Sequence, residues 1–198
     1  MVGKKSGDSA VALRRKEQVL AAAAECVRRE GFHRTSMSQI SAAAGMSSGH
    51  IHHFFGGKEG IIEGVVAREH SELGDFIDEV RVASDGTDPV TAFTELVPKC
   101  AERYMARSNA ALTIEILAEA TRNSKVASLI EENDTSVSES FYELFGGRSP
   151  AVESSCEIVA ALFEGLSARA LRNPESKQRI DMSMLKRAVR HILTQPES

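Results

Sequence analysis

The sequence contains no tryptophan, and aromatic residues make up only 5% of its 198 positions. Alternating runs of β-branched, aromatic and polar residues, the usual mark of strands, are nearly absent. No run of 18 apolar residues occurs, and no proline stands before Pro89. These absences predict an all-α protein without a membrane-spanning helix, and the lack of an apolar leader behind Lys4 and Lys5 predicts a cytoplasmic location.

Cysteine is scarce as well, and the motifs of common enzymes are missing. Cys26, Cys100 and Cys156 are odd in number and widely spaced, which suits neither a disulfide framework nor a zinc knuckle. No GxSxG, HExxH, GxGxxG or phosphate-binding GxxxxGK motif occurs. Acids one helical turn apart, such as Glu115 and Glu119, usually form a solvated face. We therefore predict no catalytic site, no metal site and no cofactor.

Charge is divided unevenly along the chain. Residues 1–57 carry eight basic and four acidic side chains, a net charge of +4, whereas residues 58–198 carry 16 basic and 24 acidic ones, a net charge of −8. Four of the six histidines also lie in the first part. A basic head on an acidic body predicts two domains, 1–57 and 58–198, and a polyanion as the partner of the head.

The head contains two short amphipathic segments that are three residues apart. Ser36 can cap the first segment, with Gln39 completing a capping box, and Ser47 can cap the second. Gly45 supplies the turn between them. Two short helices joined by a glycine-containing turn are typical of a helix-turn-helix, which here follows a first helix over residues 14–30.

In the body, turn residues and helical spacing predict six further helices, about nine in total. They extend over residues 58–83, from Pro89 with a kink at Pro98, and over 110–120, 125–145, 150–172 and 178–193. The predicted fold is an N-terminal three-helix helix-turn-helix domain followed by a larger helical domain.

Three histidines fall within four positions of the second short helix. His50 and His53 share a helical face, but His52 points elsewhere, and no nearby Cys, Asp or Glu at ligand spacing completes a metal site. Solvated histidines without a role are one alternative. DNA contact is the other, because a short helix with a small, capped start can enter the major groove.

The segment GFHRTSMSQISAAAGMSSGHIHHFFGGKEGI, residues 31–61, resembles the DNA-binding head of the TetR family of bacterial repressors. The shared pattern has a glycine after the first helix, a Thr-Ser pair, Ala-Gly and Ser at the turn, an aromatic end of the recognition helix and Lys-Glu after it. The matching positions are Gly31, Thr35, Ser36, Ala44, Gly45, Ser47, Gly49, Phe55, Lys58 and Glu59. Further along, ALFEGLSARAL, residues 161–171, resembles the dimerisation helix in the branch of the betaine-responsive repressor.

The resemblance implies a homodimeric repressor that binds a palindromic operator in double-stranded DNA. The candidate DNA-binding residues are Thr35, Ser36, Gln39, Ser47, Ser48, Gly49, His50, His52, His53 and Lys58. The family usually has a tyrosine at the position of His52. If this histidine contacts a phosphate, DNA affinity should rise as pH falls from about 8 to 6, around the reference pKa of roughly 6.5 for histidine in peptides. The tail with Lys4, Lys5, Arg14, Arg15 and Lys16 either follows the DNA backbone or minor groove or only aids solubility.

The resemblance also places a small-molecule pocket among the middle helices and a dimer interface on the last ones. The pocket candidates are Phe93, Val97, Cys100, Tyr104, Leu112, Ile116, Glu119, Phe141, Phe145 and Phe163. The dimerisation candidates are Ile158, Leu162, Gly165, Leu166, Arg169, Met184, Leu185, Ala188 and Ile192, although both stripes could instead pack inside one chain. If Glu115, Glu119 or Glu164 faces the pocket, a cationic ligand is favoured, because an unpaired buried carboxylate is costly.

Two other functions are compatible with the sequence. One is an activator or ligand-independent regulator with the same fold. The other is a helical protein-interaction module whose head no longer binds DNA, since the recognition helix has neither Arg nor Lys for the commonest contact to guanine.

Overall fold

The computed structural model describes residues 3–194, with side chains from residue 10 onward. Within these limits the chain forms ten helices and no strand, which confirms the all-α prediction. The helices are α1 (Gly3–Arg34), α2 (Met37–Ala44), α3 (Ser48–Phe55), α4 (Lys58–Ala83), α5 (Pro89–Met105), α6 (Arg107–Ala120), α7 (Ser124–Leu144), α8 (Pro150–Arg172), α9 (Ser176–Arg179) and α10 (Met182–Leu193). No described helix is both long and apolar enough to cross a bilayer.

Two predicted helix bounds are wrong. The segment 178–193 forms two helices rather than one, because the Asp181 carboxylate caps α10 by accepting the N–H groups of Ser183 at 2.8 Å and Met184 at 3.1 Å. At the other end of the chain, α1 begins at Gly3 instead of residue 14. The tail is therefore helical, with Arg14, Arg15 and Lys16 exposed, while the side chains of Lys4 and Lys5 lie outside the described residues.

The starts of α5 and α8 follow from caps that are visible in the sequence. Asp88 caps α5 through a 2.8 Å bond from the N–H of Thr91, and Pro89 occupies the first turn, where its missing N–H costs nothing. Helix α5 continues through Pro98 to Met105. Ser149 caps α8 in the same way by accepting the N–H of Val152 at 3.3 Å.

The described chain divides into two compact units. The head unit comprises Met1–Glu69 together with Glu115–Ile130, and the body unit comprises His70–Ile114 and Glu131–Ser198. The division on the N-terminal side thus falls inside α4, whereas the sequence pattern had predicted it at residue 57, where α3 has just ended. The head unit also takes in a second segment from the middle of the chain, which no sequence pattern had indicated.

The second segment of the head unit is tied to the first by apolar and polar contacts. Its Ile116 and Val126 side chains are buried. Gly31 interrupts α1 with φ 76° and ψ 162°, a conformation that favours glycine, and a Cβ there would stand 2.9 Å from Oε2 of Glu115. Lys125 Nζ lies 3.6 Å from Oε2 of Glu59.

The body unit has its own hydrophobic core, built mainly from α5, α8 and α10 with the second half of α4. The buried members of this core are Phe76, Val80, Ala92, Phe93, Val97, Cys100, Ala101, Met105, Val159, Phe163, Leu166, Ala170, Leu185 and Val189. The Ser167 hydroxyl donates to the backbone carbonyl of Tyr104 at 2.8 Å, and that of Ser155 donates to the carbonyl of Ile192 at 2.9 Å. These bonds join α8 to α5 and α10.

Candidate nucleic-acid interface and ligand cavity

Helix α2 and helix α3 are held in place by their caps and by the turn between them. Ser36 and Gln39 form the predicted capping box: Ser36 Oγ accepts the N–H of Gln39 at 3.3 Å, and Gln39 Oε1 accepts the N–H of Ser36 at 2.7 Å. Gly45 ends α2 in the left-handed region with φ 61°, and Met46 is buried beneath the turn. Ser47 then caps α3 by accepting the N–H of His50 at 3.4 Å.

Helix α3 is anchored by one apolar residue and leaves a polar face open. Ile51 is fully buried, and Phe54 and Phe55 are partly buried. The exposed residues on the opposite side are Ser48, Gly49, His50, His52 and His53. An exposed, capped helix with small residues in its first turn can approach the floor of a major groove about 12 Å wide.

Helix α4 passes very close to the end of α3. A Cβ at Gly60 would overlap the backbone carbonyl oxygen of Phe55, and one at Gly64 would stand 2.7 Å from Cδ2 of Leu20 and 3.4 Å from Cε1 of Phe55. At the same end of α4, Lys58 Nζ donates to the carbonyl of His33 at 3.4 Å. Two glycines on one face of α4 therefore fix the position of α3 relative to α1 and α4.

A cavity of about 90 Å³ lies within the body unit. Six of its fifteen lining residues are aromatic, and they are Phe76, Phe93, Phe141, Phe145, Phe163 and Tyr104. The Phe93 ring meets Phe141 and Phe145 edge to face, each with ring centroids 5.7 Å apart, and Phe141 stacks on Phe145 at 5.9 Å. Six of the ten aromatic residues in this aromatic-poor chain thus surround one space.

The polar groups of the cavity are few, and most are neutral. Burial raises the pKa of Tyr104 and of Cys100 to about 12, and that of Cys156 to about 11, so the phenol and both thiols stay protonated at neutral pH. Ser138 and Glu157 also line the cavity, and Glu157 is exposed, which places it at the solvent edge.

Two further carboxylates lie close to Glu157 on α7 and α8. Burial, followed by the charges of Asp134 and Glu157, raises the pKa of Glu164. Burial is also the main cause of the raised pKa of Asp134. The charge of Glu157 adds to this rise, and His70 opposes it. Within the described residues, no group of three His, Cys, Asp or Glu side chains has the geometry to hold a metal ion.

Comparison with known proteins shows what the head segment and the fold are similar to. Residues 19–65 match the family described as "Bacterial regulatory proteins, tetR family". The solved structure of Salmonella enterica GusR superposes with a TM-score of 0.75 at 24% identity, covering 92% of this chain and 97% of that one, which shows the same fold. The head of the chain thus matches the tetR family.

Among curated relatives, similarity is moderate. The HTH-type transcriptional regulator UidR of Escherichia coli (strain K12) is 27% identical over 122 residues, which is 62% of this chain and 60% of UidR. The HTH-type transcriptional regulator BetI 2 of Chromohalobacter salexigens is 24% identical over 164 residues, 81% of this chain and 79% of that protein. The match to UidR therefore spans about three fifths of that relative's length.

Most candidate DNA-binding residues lie together on the surface of the head unit, but Thr35 does not. Thr35 is only 2% exposed, and its hydroxyl donates to the carbonyl of Gly31 at 2.8 Å. Its prediction as a phosphate contact is wrong, because the hydroxyl secures the end of α1 instead. Ser36 and Gln39 are exposed on α2, although Oε1 of Gln39 is engaged in the capping box. Lys58 is partly buried and bonded to His33.

The pocket candidates separate into three groups. Phe93, Cys100, Tyr104, Phe141, Phe145 and Phe163 line the cavity. Val97 and Leu112 are buried in the body unit without lining it. Ile116 and Glu119 belong to the head unit, so they are not part of this cavity, and neither is Glu115.

Glu119 is buried, and the structure gives it a local role. Its Oε1 accepts a 3.3 Å bond from Asn123 Nδ2, and Arg122 Nη2 lies 3.9 Å from its Oε2. The wall also contains residues that were not among the predicted ones, namely Leu73, Phe76, Val137, Ser138, Cys156, Glu157, Val159, Ala160 and Leu193. Of these residues, Phe76 alone could have been suspected from the sequence, because it is the single aromatic residue on α4.

The dimerisation candidates are likewise divided between surface and core. Ile158 is 52% exposed and Met184 is 61% exposed, and Gly165, Arg169 and Ala188 are also on the surface. Leu162 and Ile192 are partly buried. Leu166 and Leu185 are buried in the core of the body unit, so their assignment to an interface is wrong.

Proposed function

We propose that this TetR-family protein is a homodimeric transcriptional repressor that binds a palindromic operator in double-stranded DNA and is released by a small molecule. It acts without catalysis, and we place it in the cytoplasm with its DNA. The proposal rests on the head unit, where α3 is capped by Ser47, anchored by Ile51 and exposed on its polar side.

The head offers groups for both kinds of DNA contact. Ser36 and Ser47 stand at helix starts whose N–H groups and dipoles favour phosphate, and Lys58 adds a positive charge nearby. We assign the contacts to base edges to α3 and to Gln39. The side-chain nitrogen of Gln39 can donate to a base while its oxygen stays in the capping box. The α3 candidates for base contact are Ser48, Gly49, His50 and His53, with His52 assigned to a phosphate.

Dimerisation is supported by apolar side chains that the body unit leaves in solvent. Ile158 on α8 and Met184 on α10 are large, apolar and more than half exposed. Exposed Ala161, Gly165 and Ala168 on α8 would let a second copy approach closely. A symmetric dimer would supply the two heads that half-sites about 34 to 36 Å apart, or a multiple of that spacing, require.

The test is fluorescence anisotropy of the full-length protein on the DNA upstream of its own gene, against a scrambled duplex. We expect selective binding whose affinity falls by about 10³ to 10⁵ between 50 and 200 mM salt if roughly 6 to 10 phosphates are contacted. His53→Ala should weaken binding to the operator by about 1–3 kcal/mol if the ring reads a base. His33→Ala is the matched control, because His33 is exposed on the same unit but lies outside α3.

Two results would overturn this function. Equal binding to both duplexes, or none, would leave the head as a protein-interaction surface. Equal losses in the His53→Ala and His33→Ala variants would mean that α3 is not the reading helix. In vitro transcription from the same promoter then separates a repressor from an activator, since only a repressor lowers the transcript yield on binding.

A further inference from the structure

The cavity in the body unit combines an aromatic wall with an acidic edge. Faces and edges of five phenylalanines and Tyr104 surround the space, and Tyr104 lies 5.4 Å from Phe163, centroid to centroid. Aromatic ring faces carry negative electrostatic potential and attract cations. The same walls also favour an apolar body.

The charges around the cavity are predominantly negative. Among the described residues that line it, Glu157 is the one acidic residue, and neither Lys nor Arg is present. Asp134 and Glu164 lie close enough to Glu157 for their charges to interact. Two basic side chains stand nearby. His70 interacts with Asp134, and Arg103 already faces a carboxylate, with its Nη1 2.5 Å from Oε2 of Glu72.

We propose that this cavity binds a small organic cation, with its ammonium group beside Glu157 and its apolar body among the phenyl rings. The site is the ligand site of the proposed repressor, so its regulatory meaning rests on that function. A volume of about 90 Å³ admits about six to nine waters, or a ligand of roughly ten non-hydrogen atoms.

Other classes of ligand fit the cavity less well. An anion would meet the Glu157 carboxylate and the negative ring faces without a lining cation to offset them. A neutral apolar molecule would gain the ring contacts but leave the repulsion among Glu157, Asp134 and Glu164 unrelieved. A bare metal ion lacks a set of three suitable ligands among the described residues.

Three probes that share a phenyl body test the assignment. They are phenethylamine, a cation at pH 7, phenethyl alcohol, which is neutral, and phenylacetate, an anion. Isothermal titration calorimetry on the full-length protein, without DNA, should show the amine binding about fivefold or more tightly than the alcohol, and phenylacetate weakest. Glu157→Gln should weaken the amine about two- to fivefold and leave the alcohol unchanged.

A matched control is Glu132→Gln, which removes one exposed carboxylate from α7 of the same unit without touching the cavity wall. It should leave all three affinities as they are in the wild type. Circular dichroism checks that both variants keep the wild-type helix content. The inference is refuted if the alcohol or phenylacetate binds as tightly as the amine, if no probe binds, or if the two variants behave alike.

Calorimetry without DNA tests the ligand class, and anisotropy without ligand tests DNA binding. A wrong ligand class and a wrong function therefore give different results. In a third measurement, phenethylamine is added to the protein bound to its operator DNA. Release by the amine but not by phenylacetate supports the regulatory role of the site. Amine binding in calorimetry without any release would overturn that role.

Discussion

Replacing Gly60 with alanine should lower stability more than the same change at Gly64 or Gly74, the other two glycines of α4. A Cβ at this position would overlap the carbonyl oxygen of Phe55, well inside the 3.0 Å that real Cβ atoms keep from other heavy atoms. The obstacle is backbone rather than the end of a flexible side chain, so α3 and α4 would have to separate.

The magnitude follows from two opposing effects. Forcing an extra methyl group into a packed contact costs about 1–3 kcal/mol, while alanine gains up to about 1 kcal/mol over glycine inside a helix. For Gly60→Ala we therefore expect a net loss of roughly 1–2 kcal/mol in the free energy of unfolding. Gly74 on the same helix has no heavy atom within 4 Å of its Cβ position, so Gly74→Ala should gain up to about 1 kcal/mol.

Urea denaturation followed by far-UV circular dichroism measures both variants against the wild type. Gly64→Ala should fall between them, because its nearest obstacle is the movable Cδ2 of Leu20. The order Gly74→Ala, Gly64→Ala, Gly60→Ala in decreasing stability would support the close approach of α3 to α4. A Gly60→Ala variant as stable as the wild type, or a Gly74→Ala variant that loses as much, would refute it.

Three further predictions concern caps, a buried hydroxyl and pH. Ser36→Ala removes the α2 cap and should lower the free energy of unfolding by about 0.5–2 kcal/mol; an unchanged urea midpoint would contradict this. Thr35→Val should cost about 1 kcal/mol of stability and leave the salt dependence of DNA binding unaltered, whereas a shallower slope would restore Thr35 as a phosphate contact. Burial and neighbouring carboxylates raise the pKa of Glu164, so the folded state holds that proton more tightly than the unfolded state, and stability should fall as pH rises above about 4. Glu164→Gln should therefore have a higher thermal midpoint than the wild type at pH 7 but not at pH 4, and equal midpoints at pH 7 would rule out the effect.

The architecture of the head was predictable because its signals are local. The capping box of Ser36 and Gln39, the left-handed Gly45 and the Ser47 cap each depend on residues within a few positions, and all three are present as predicted. Thr35 was misplaced because its hydroxyl donates to the carbonyl of Gly31 one helical turn earlier, a bond to the backbone that competes with any bond to a phosphate. Side-chain chemistry alone does not reveal such a competitor for a hydroxyl group.

The body was harder to predict because its signals are distant in sequence. An apolar stripe on α8 is visible, yet the sequence does not say that Leu166 faces the core while Ile158 faces solvent. The cavity brings Phe76 on α4 together with Glu157 on α8, two residues that no periodic pattern connects. The assignment of Glu119 to the pocket failed for the same reason, since the end of α6 belongs to the head unit.

Because the end of α6 belongs to the head unit, the head is encoded by two separate stretches of the gene. A fragment ending at Glu69 would lack Glu115–Ile130, and with it the Glu115 carboxylate beside Gly31 and the ion-pair partner of Glu59, Lys125. The head unit is therefore not a segment that recombination can cut out at one point in the gene and join to another domain. Substitutions between residues 115 and 130 change the head although they lie in the middle of the body's sequence, so the two halves are constrained to evolve together.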